Sequence, residues 1–239
     1  MNIIIPMAGK GNRFVQAGYK KPKMLVTIKG RPMFYWALKG LRDHFKLSNF
    51  TFVCLEEHLQ TTNLEEEIRK FAPGSKIVTV HEYTQGQAET VLKAALKLDQ
   101  NKELLVFNCD TFFKCTKFSI NNNLDGQITV FKSNNPGLSY VKVNKSELVV
   151  KIAEKEIISN LATIGLYYFK STNLYIDACN QIIQNNIKSH GEYYISKIYE
   201  VLIKKGMKIG INLADECYPL GTPIEKEIFE ENFKEEVNE

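Results

Sequence analysis

Short apolar runs alternate with amphipathic stretches through the first half of the chain. The runs at Asn2–Met7, Phe50–Leu55, Lys76–His81 and Glu103–Asn108 have the length and composition of buried strands. Between them, apolar residues recur every three or four positions, the spacing of a helix with one buried face. "GQAETVLKAALKL" puts Ala88, Val91, Leu92, Ala95 and Leu96 on one such face, and Leu64, Ile68 and Phe71 repeat the pattern in an earlier segment. Start signals agree: "PMFYWALKGL" places Pro32 at a first helical position, and "TNLE" at 62–65 reads as a capping box. This alternation predicts a parallel sheet covered by helices on both sides.

After Asp110 the rhythm changes. Ile128–Phe131, Tyr140–Val143, Leu148–Ile152 and Thr163–Phe169 are closely spaced strand candidates, which predict an antiparallel or mixed subregion built onto the sheet. Helical patterns follow at Leu174–Asn185 and Tyr193–Lys205, the second stopped by Gly206, with Tyr194, Ile198 and Leu202 as its apolar face. A last helix is expected from Thr222–Pro223, with Glu225 closing a capping box.

Composition narrows the class without naming a function. The 239 residues, 44% hydrophobic and 24% charged, are those of an ordinary globular protein. No apolar run spans a bilayer and the N-terminus lacks the build of a signal peptide, so the expectation is a cytoplasmic protein with no membrane partner. Cys54, Cys109, Cys115, Cys179 and Cys217 are dispersed without a CxxC spacing, which reads as reduced thiols and not structural zinc. A formal charge of +4 does not call for nucleic acid.

The chemistry concentrates in "IPMAGKGNRFVQAGYKKPK", residues 5–23, where a Gly-rich turn directly follows the first strand. In an open parallel sheet, ligands bind beyond the carboxyl ends of the strands. Gly9 and Gly11 let backbone N–H groups approach phosphate oxygens. A Walker A loop is absent, and a dinucleotide fingerprint fails because Phe14 stands at its third glycine. What remains is G-x-G-x-R followed by P-K: Gly9, Gly11, Arg13, Pro22 and Lys23.

That pattern resembles the sugar-phosphate nucleotidyltransferase superfamily, in particular its short, stand-alone, cytidylyltransferase-like members. Further segments in the family's order support the resemblance: "TQGQAETV" (84–91), "VFNCDTF" (106–112), "IAEKEIIS" (152–159), "ATIGLYYF" (162–169), "GEYYISKIYEVLIKKG" (191–206) and "LGTP" (220–223). The resemblance implies a single-domain α/β fold, Rossmann-like (GT-A-like), with a mixed, mainly parallel sheet and an elaborated acceptor-binding C-terminal half. Residues 1–112 would form the nucleotide-binding half, 113–223 the acceptor-binding half and 224–239 a C-terminal helix. It also implies transfer of an NMP group from an NTP to a sugar 1-phosphate or small phosphorylated alcohol, with release of pyrophosphate, as in surface polysaccharide synthesis.

On the same basis Met7, Ala8, Gly9, Gly11, Arg13, Lys23, Thr84, Gln85, Gly86 and Gln87 would bind the nucleotide. Arg13, Lys23 and Asp110 would serve catalysis, with Asp110 holding Mg²⁺. Glu154, Lys155, Gly165 and Glu192 would face the acceptor, Gly165 by leaving it room. Lys10, Lys20 and Lys21 are read as solvated charge. The amides and hydroxyl of Thr84, Gln85 and Gln87 can bond several bases, so the order of donors, CTP first, then UTP or dTTP, then GTP, follows from the resemblance to short cytidylyltransferase-like members. A homodimer is the commonest closed assembly for such a chain.

The pattern departs from the family at one place. Many members carry a second metal-binding aspartate two residues before the glycine of W-x-D-x-G-T, where this chain has Pro219; Asp215 and Glu192 are looser candidates. Two alternatives stay open: a GT-A-type glycosyltransferase consuming a nucleotide sugar, and a catalytically weak nucleotide-binding protein.

Overall fold

In the computed structural model, which describes residues 1–234, β1 (Asn2–Met7) leads through α1 (Asn12–Gln16) to a small ribbon of β2 (Thr27–Ile28) and β3 (Arg31–Pro32). The first half continues with α2 (Met33–Leu41), β4 (Phe50–Leu55), α3 (Glu56–Thr61), α4 (Leu64–Phe71), β5 (Lys76–Val80), α5 (Gln87–Ala95) and β6 (Leu104–Phe107). The second half runs through β7 (Thr111–Lys114), β8 (Gly126–Lys132), β9 (Tyr140–Val143), β10 (Val149–Ala153), β11 (Leu161–Phe169), α6 (Thr172–Gln184), α7 (Ile195–Lys204), β12 (Ile209–Leu213), β13 (Glu216–Pro219) and α8 (Pro223–Asn232).

One nine-stranded sheet runs through both halves, in the order β10-β9-β11-β6-β1-β4-β5, with β8 paired along β11 and β12 beyond it. The four strands β6, β1, β4 and β5 are parallel, as their buried, near-continuous apolar runs require. The switch comes at β11, which is antiparallel to both β6 and β8 and shifts register between Thr163 and Tyr167. β1 is therefore central, and the chain leaves its carboxyl end beside that of β6.

Period-two alternation sends neighbouring side chains to opposite faces. Ile3, Ile5 and Met7 join Phe34, Leu38, Leu64 and Ile68 on one side, while Ile4 joins Val91, Ile182 and Ile198 on the other. A third cluster of Phe14, Trp36, Phe112, Leu220 and Phe229 fastens α1, α2, β7 and α8 together, with the Trp36 and Phe229 rings edge to face at 5.1 Å. Phe14 is buried there, which explains why a side chain stands where a dinucleotide loop would need a third glycine.

Several local expectations are corrected. Pro32 is the extended residue before α2, since it pairs with Thr27 in the ribbon. Asn63, not Thr62, precedes α4; the Thr62 hydroxyl donates to His58 O at the end of α3, and Glu65 pairs with Arg69. Leu96 is half exposed because α5 stops at Ala95. Tyr194 lies before α7 and off its core face, which Ile195, Ile198, Tyr199 and Leu202 supply. Thr222 caps α8 through its hydroxyl, but no described bond returns from the Glu225 carboxylate to complete the box. The helix ends at Asn232, and the expected positions 235–239 lie outside the described residues.

Candidate active site

Two adjoining cavities open where β1 and β6 end. The larger, about 560 Å³, is lined by the loop from Met7 to Arg13, by Lys23, by Thr84–Gln87 and by Asp110, and falls in the usual size range of ligand pockets. The smaller, about 220 Å³, is lined by Ser139, Glu154, Thr163, Tyr167 and Ser196 among others. Arg13, Gln87, Asn108, Asp110, Lys155, Tyr194 and Gly221 line both.

In the larger cavity, a side chain at Gly9 would meet no protein atom within 4 Å, so that glycine faces open space. Arg13 is exposed at the rim. The segment 84–88 is held by backbone bonds to Tyr193: its N–H donates to Gln85 O at 2.8 Å, and its carbonyl accepts from Ala88 N–H at 3.0 Å. Gly86, with φ +143°, makes this contact feasible, because a methyl group there would come within 2.5 Å of Tyr193 N. The Thr84 hydroxyl is engaged internally with Thr90 and Gly86 O. Gln85 accepts from Lys188 through Oε1 at 2.7 Å, which leaves its amide N–H groups for a ligand.

Lys23 begins a short 3-10 turn, and its Nζ donates to Asp110 Oδ2 at 2.7 Å with both side chains about one-fifth exposed. Burial alone would lower the lysine pKa, but the Asp110 carboxylate more than offsets this and holds it above the usual range. Beside them burial pushes the Cys109 thiol up to about 12, with Lys23 opposing, so Cys109 is a neutral wall and not a nucleophile.

In the smaller cavity, Glu154 Oε2 accepts from Ser139 Oγ at 2.5 Å and from Ser196 Oγ at 2.8 Å, which fixes the carboxylate there. Lys155 follows with φ +54° and donates through Nζ to Tyr194 OH at 3.1 Å. Two expectations change here. Glu192 lines the larger cavity and not the smaller one. Gly165 lines the smaller cavity, but the space on its side-chain face belongs to Asn108, whose Nδ2 lies 2.3 Å from where a Gly165 Cβ would be. Asp215 is committed to the N–H and hydroxyl of Thr116, at 2.7 and 2.9 Å, and faces neither cavity.

The sequence did not mark Asn108 and Tyr194 as site residues, although both line the two cavities. Asn108 accepts from Gln87 Nε2 and donates its backbone N–H to Gly165 O, so it partitions the two cavities. Its position two residues before Asp110 was the available signal. Ser139 and Ser196 gave none.

Among the described residues no group of three or more His, Cys, Asp or Glu gathers as a metal site. Asp110 nonetheless suits Mg²⁺, a hard cation that is commonly held by one or two carboxylates plus substrate phosphates. Its carboxylate already receives a cation, the Lys23 ammonium, and Gly221 keeps the space beside it free of a side chain.

Residues 2–214 match the nucleotidyl transferase family. The chain belongs to it. Among solved structures, the nucleoside-diphosphate-sugar pyrophosphorylase of Vibrio cholerae is 29% identical, with a TM-score of 0.84 over 96% of this chain and 100% of that one. The UTP–glucose-1-phosphate uridylyltransferase AglF of Haloferax volcanii is 25% identical over 250 residues, covering 100% of this chain and 99% of its own. The bifunctional protein GlmU of Aliarcobacter butzleri is 26% identical over 213 residues, 86% of this chain but only 46% of that protein. The chain thus spans about half the length of the bifunctional relatives it matches. No helix among the described residues is long and apolar enough to cross a membrane.

Proposed function

We propose that this protein transfers a nucleotidyl group from an NTP to a phosphorylated small molecule, releasing pyrophosphate. The observation that carries the reading is that Arg13, Asp110 and Lys155 line both cavities, so two phosphate-bearing ligands would meet where these charges converge. An acceptor phosphate oxygen would form a bond to the α-phosphorus as the α–β bridging P–O bond breaks, its electrons leaving with pyrophosphate. The acceptor phosphate is already ionised at neutral pH, so no general base is needed. Positioning and charge carry the reaction.

Arg13 is suited to the β- and γ-phosphates because its fork binds two oxygens at once. Lys23, a compact charge, would sit at the α-phosphate. Mg²⁺ held by Asp110 would supply further charge neutralisation when bound. Lys155, oriented by Tyr194, would pair with the acceptor phosphate, and Glu154, fixed by two serine hydroxyls, would accept from an acceptor hydroxyl or amine. The small second cavity supports a single sugar ring or a smaller alcohol.

CTP is our first choice of donor. The free donors of Gln85 match adjacent acceptors such as O2 and N3 of cytosine, whereas N3 of uracil carries a proton. The relative AglF, named for UTP, makes it the main competitor. Family membership favours nucleotidyl over glycosyl transfer.

The test is the melting temperature with Mg²⁺ and, separately, CTP, UTP, dTTP, GTP and ATP. A ligand that binds only the folded state stabilises it by about 2.7 kcal/mol at a hundredfold excess over Kd. A shift with CTP above the others, followed by pyrophosphate release in an acceptor screen, supports the proposal. A larger shift with UTP reassigns the base. Binding without turnover would make this a nucleotide-binding protein, and no shift with any nucleotide would overturn the reading.

A further inference from the structure

Pro219 has no ligand atom in its side chain and is paired with Thr111, so no carboxylate stands at the position of the family's second aspartate. Another carboxylate has come close. Leu220 N–H donates to Asp110 O at 2.8 Å, which lays Gly221 directly against Asp110. A methyl group on Gly221 would lie 3.0 Å from Asp110 Oδ2 and 3.6 Å from Glu225 Oε2. The two carboxylates therefore face the same small space, and both line the smaller cavity together with Arg13.

Glu225 is the third residue of α8, the position from which a capping-box carboxylate would turn back to the Thr222 N–H. It makes no such bond. Although half-buried, its carboxylate has no hydrogen bond or ion pair with any described residue. Lys23 covers Asp110 but not Glu225. Two carboxylates brought together in a partly buried space repel unless a cation joins them, and a pair of carboxylates completed by phosphate oxygens is a usual Mg²⁺ environment.

We propose that Glu225 is the second carboxylate of the divalent-cation site, taking over from the α8 helix what residue 219 cannot supply. This rests on the nucleotidyltransferase reading of Asp110. It also gives α8 a part in the site beyond packing.

The test follows Mn²⁺ by the electron paramagnetic resonance of the free ion, alone and with CTP, for the wild type, Asp110→Asn and Glu225→Gln. Glutamine keeps the size of the side chain and remains compatible with the helix start. Glu225→Gln is expected to weaken Mn²⁺ binding by at least about tenfold, the scale on which even outer-sphere losses weaken metal sites. Asp110→Asn should do the same, while the melting temperature of metal-free Glu225→Gln should be unchanged or raised, since the repulsion between the carboxylates is gone. Wild-type Mn²⁺ affinity in Glu225→Gln, with loss in Asp110→Asn, overturns the role of Glu225 and leaves the nucleotidyltransferase reading standing. A lowered metal-free melting temperature with intact Mn²⁺ binding identifies Glu225 as a cap and also overturns it. Uptake of neither Mn²⁺ nor CTP by the wild type removes both.

Discussion

At the scale of single residues, the site separates charges by what they must touch. Lys23 is tied to Asp110 and held cationic, so under the proposed function it would meet the nucleotide as a fixed charge. If it acts chiefly on the transition state, Lys23→Ala should lower kcat by about a hundred- to a thousandfold with a much smaller change in NTP affinity. Steady-state kinetics beside NTP titration check this, and a pure binding defect would reassign the lysine. Because its folded pKa lies above the unfolded value, the ion pair contributes fully below the unfolded lysine pKa and is lost only as pH rises through the folded one. Stability from this pair should therefore be constant between about pH 6 and 9. Lys155→Ala should raise KM for the acceptor by about ten- to a hundredfold, the scale of a lost charged hydrogen bond, with NTP binding intact. A selective loss of NTP affinity would contradict its placement.

At the scale of elements, one wall of the larger cavity depends on a segment more than a hundred residues away. The 84–88 turn is fastened to the backbone of Tyr193, and Gly86 is the point of closest approach. Gly86→Ala should destabilise the protein by about 1–3 kcal/mol through overpacking and loosen both cavities at once. Urea denaturation and the affinities for NTP and acceptor measure the two effects, and a neutral variant would show that the contact yields easily. The glycine in "TQGQAE" was visible in the sequence, but its partner was not, since nothing local links 86 to 193. The same holds for Gly165, whose neighbour is Asn108 and not open space.

At the scale of the molecule, an aromatic cluster joins the start of the chain to α8. Trp36, Phe112 and Phe229 lie within one group of rings, with Phe229 buried among them. Phe229→Ala should cost about 3–5 kcal/mol in a urea titration with an unchanged m-value. A cost below about 1 kcal/mol would mean that α8 is only loosely bound to the body, and that Glu225 is not held beside Asp110.

Local pattern was enough for the parallel strands and most helices, because apolar periodicity and turn chemistry act over a few residues. It also singled out the Gly-rich loop after β1, whose Gly9, Gly11, Arg13 and Lys23 lie within fifteen consecutive positions and line the larger cavity. Tertiary structure alone decided how the loop is completed. It set Lys23 on Asp110 across 87 residues, put Asn108 between the cavities and turned Glu225 from a helix cap into a neighbour of Asp110. Such contacts form when the sheet brings strand ends together, and no short-range signal encodes that proximity.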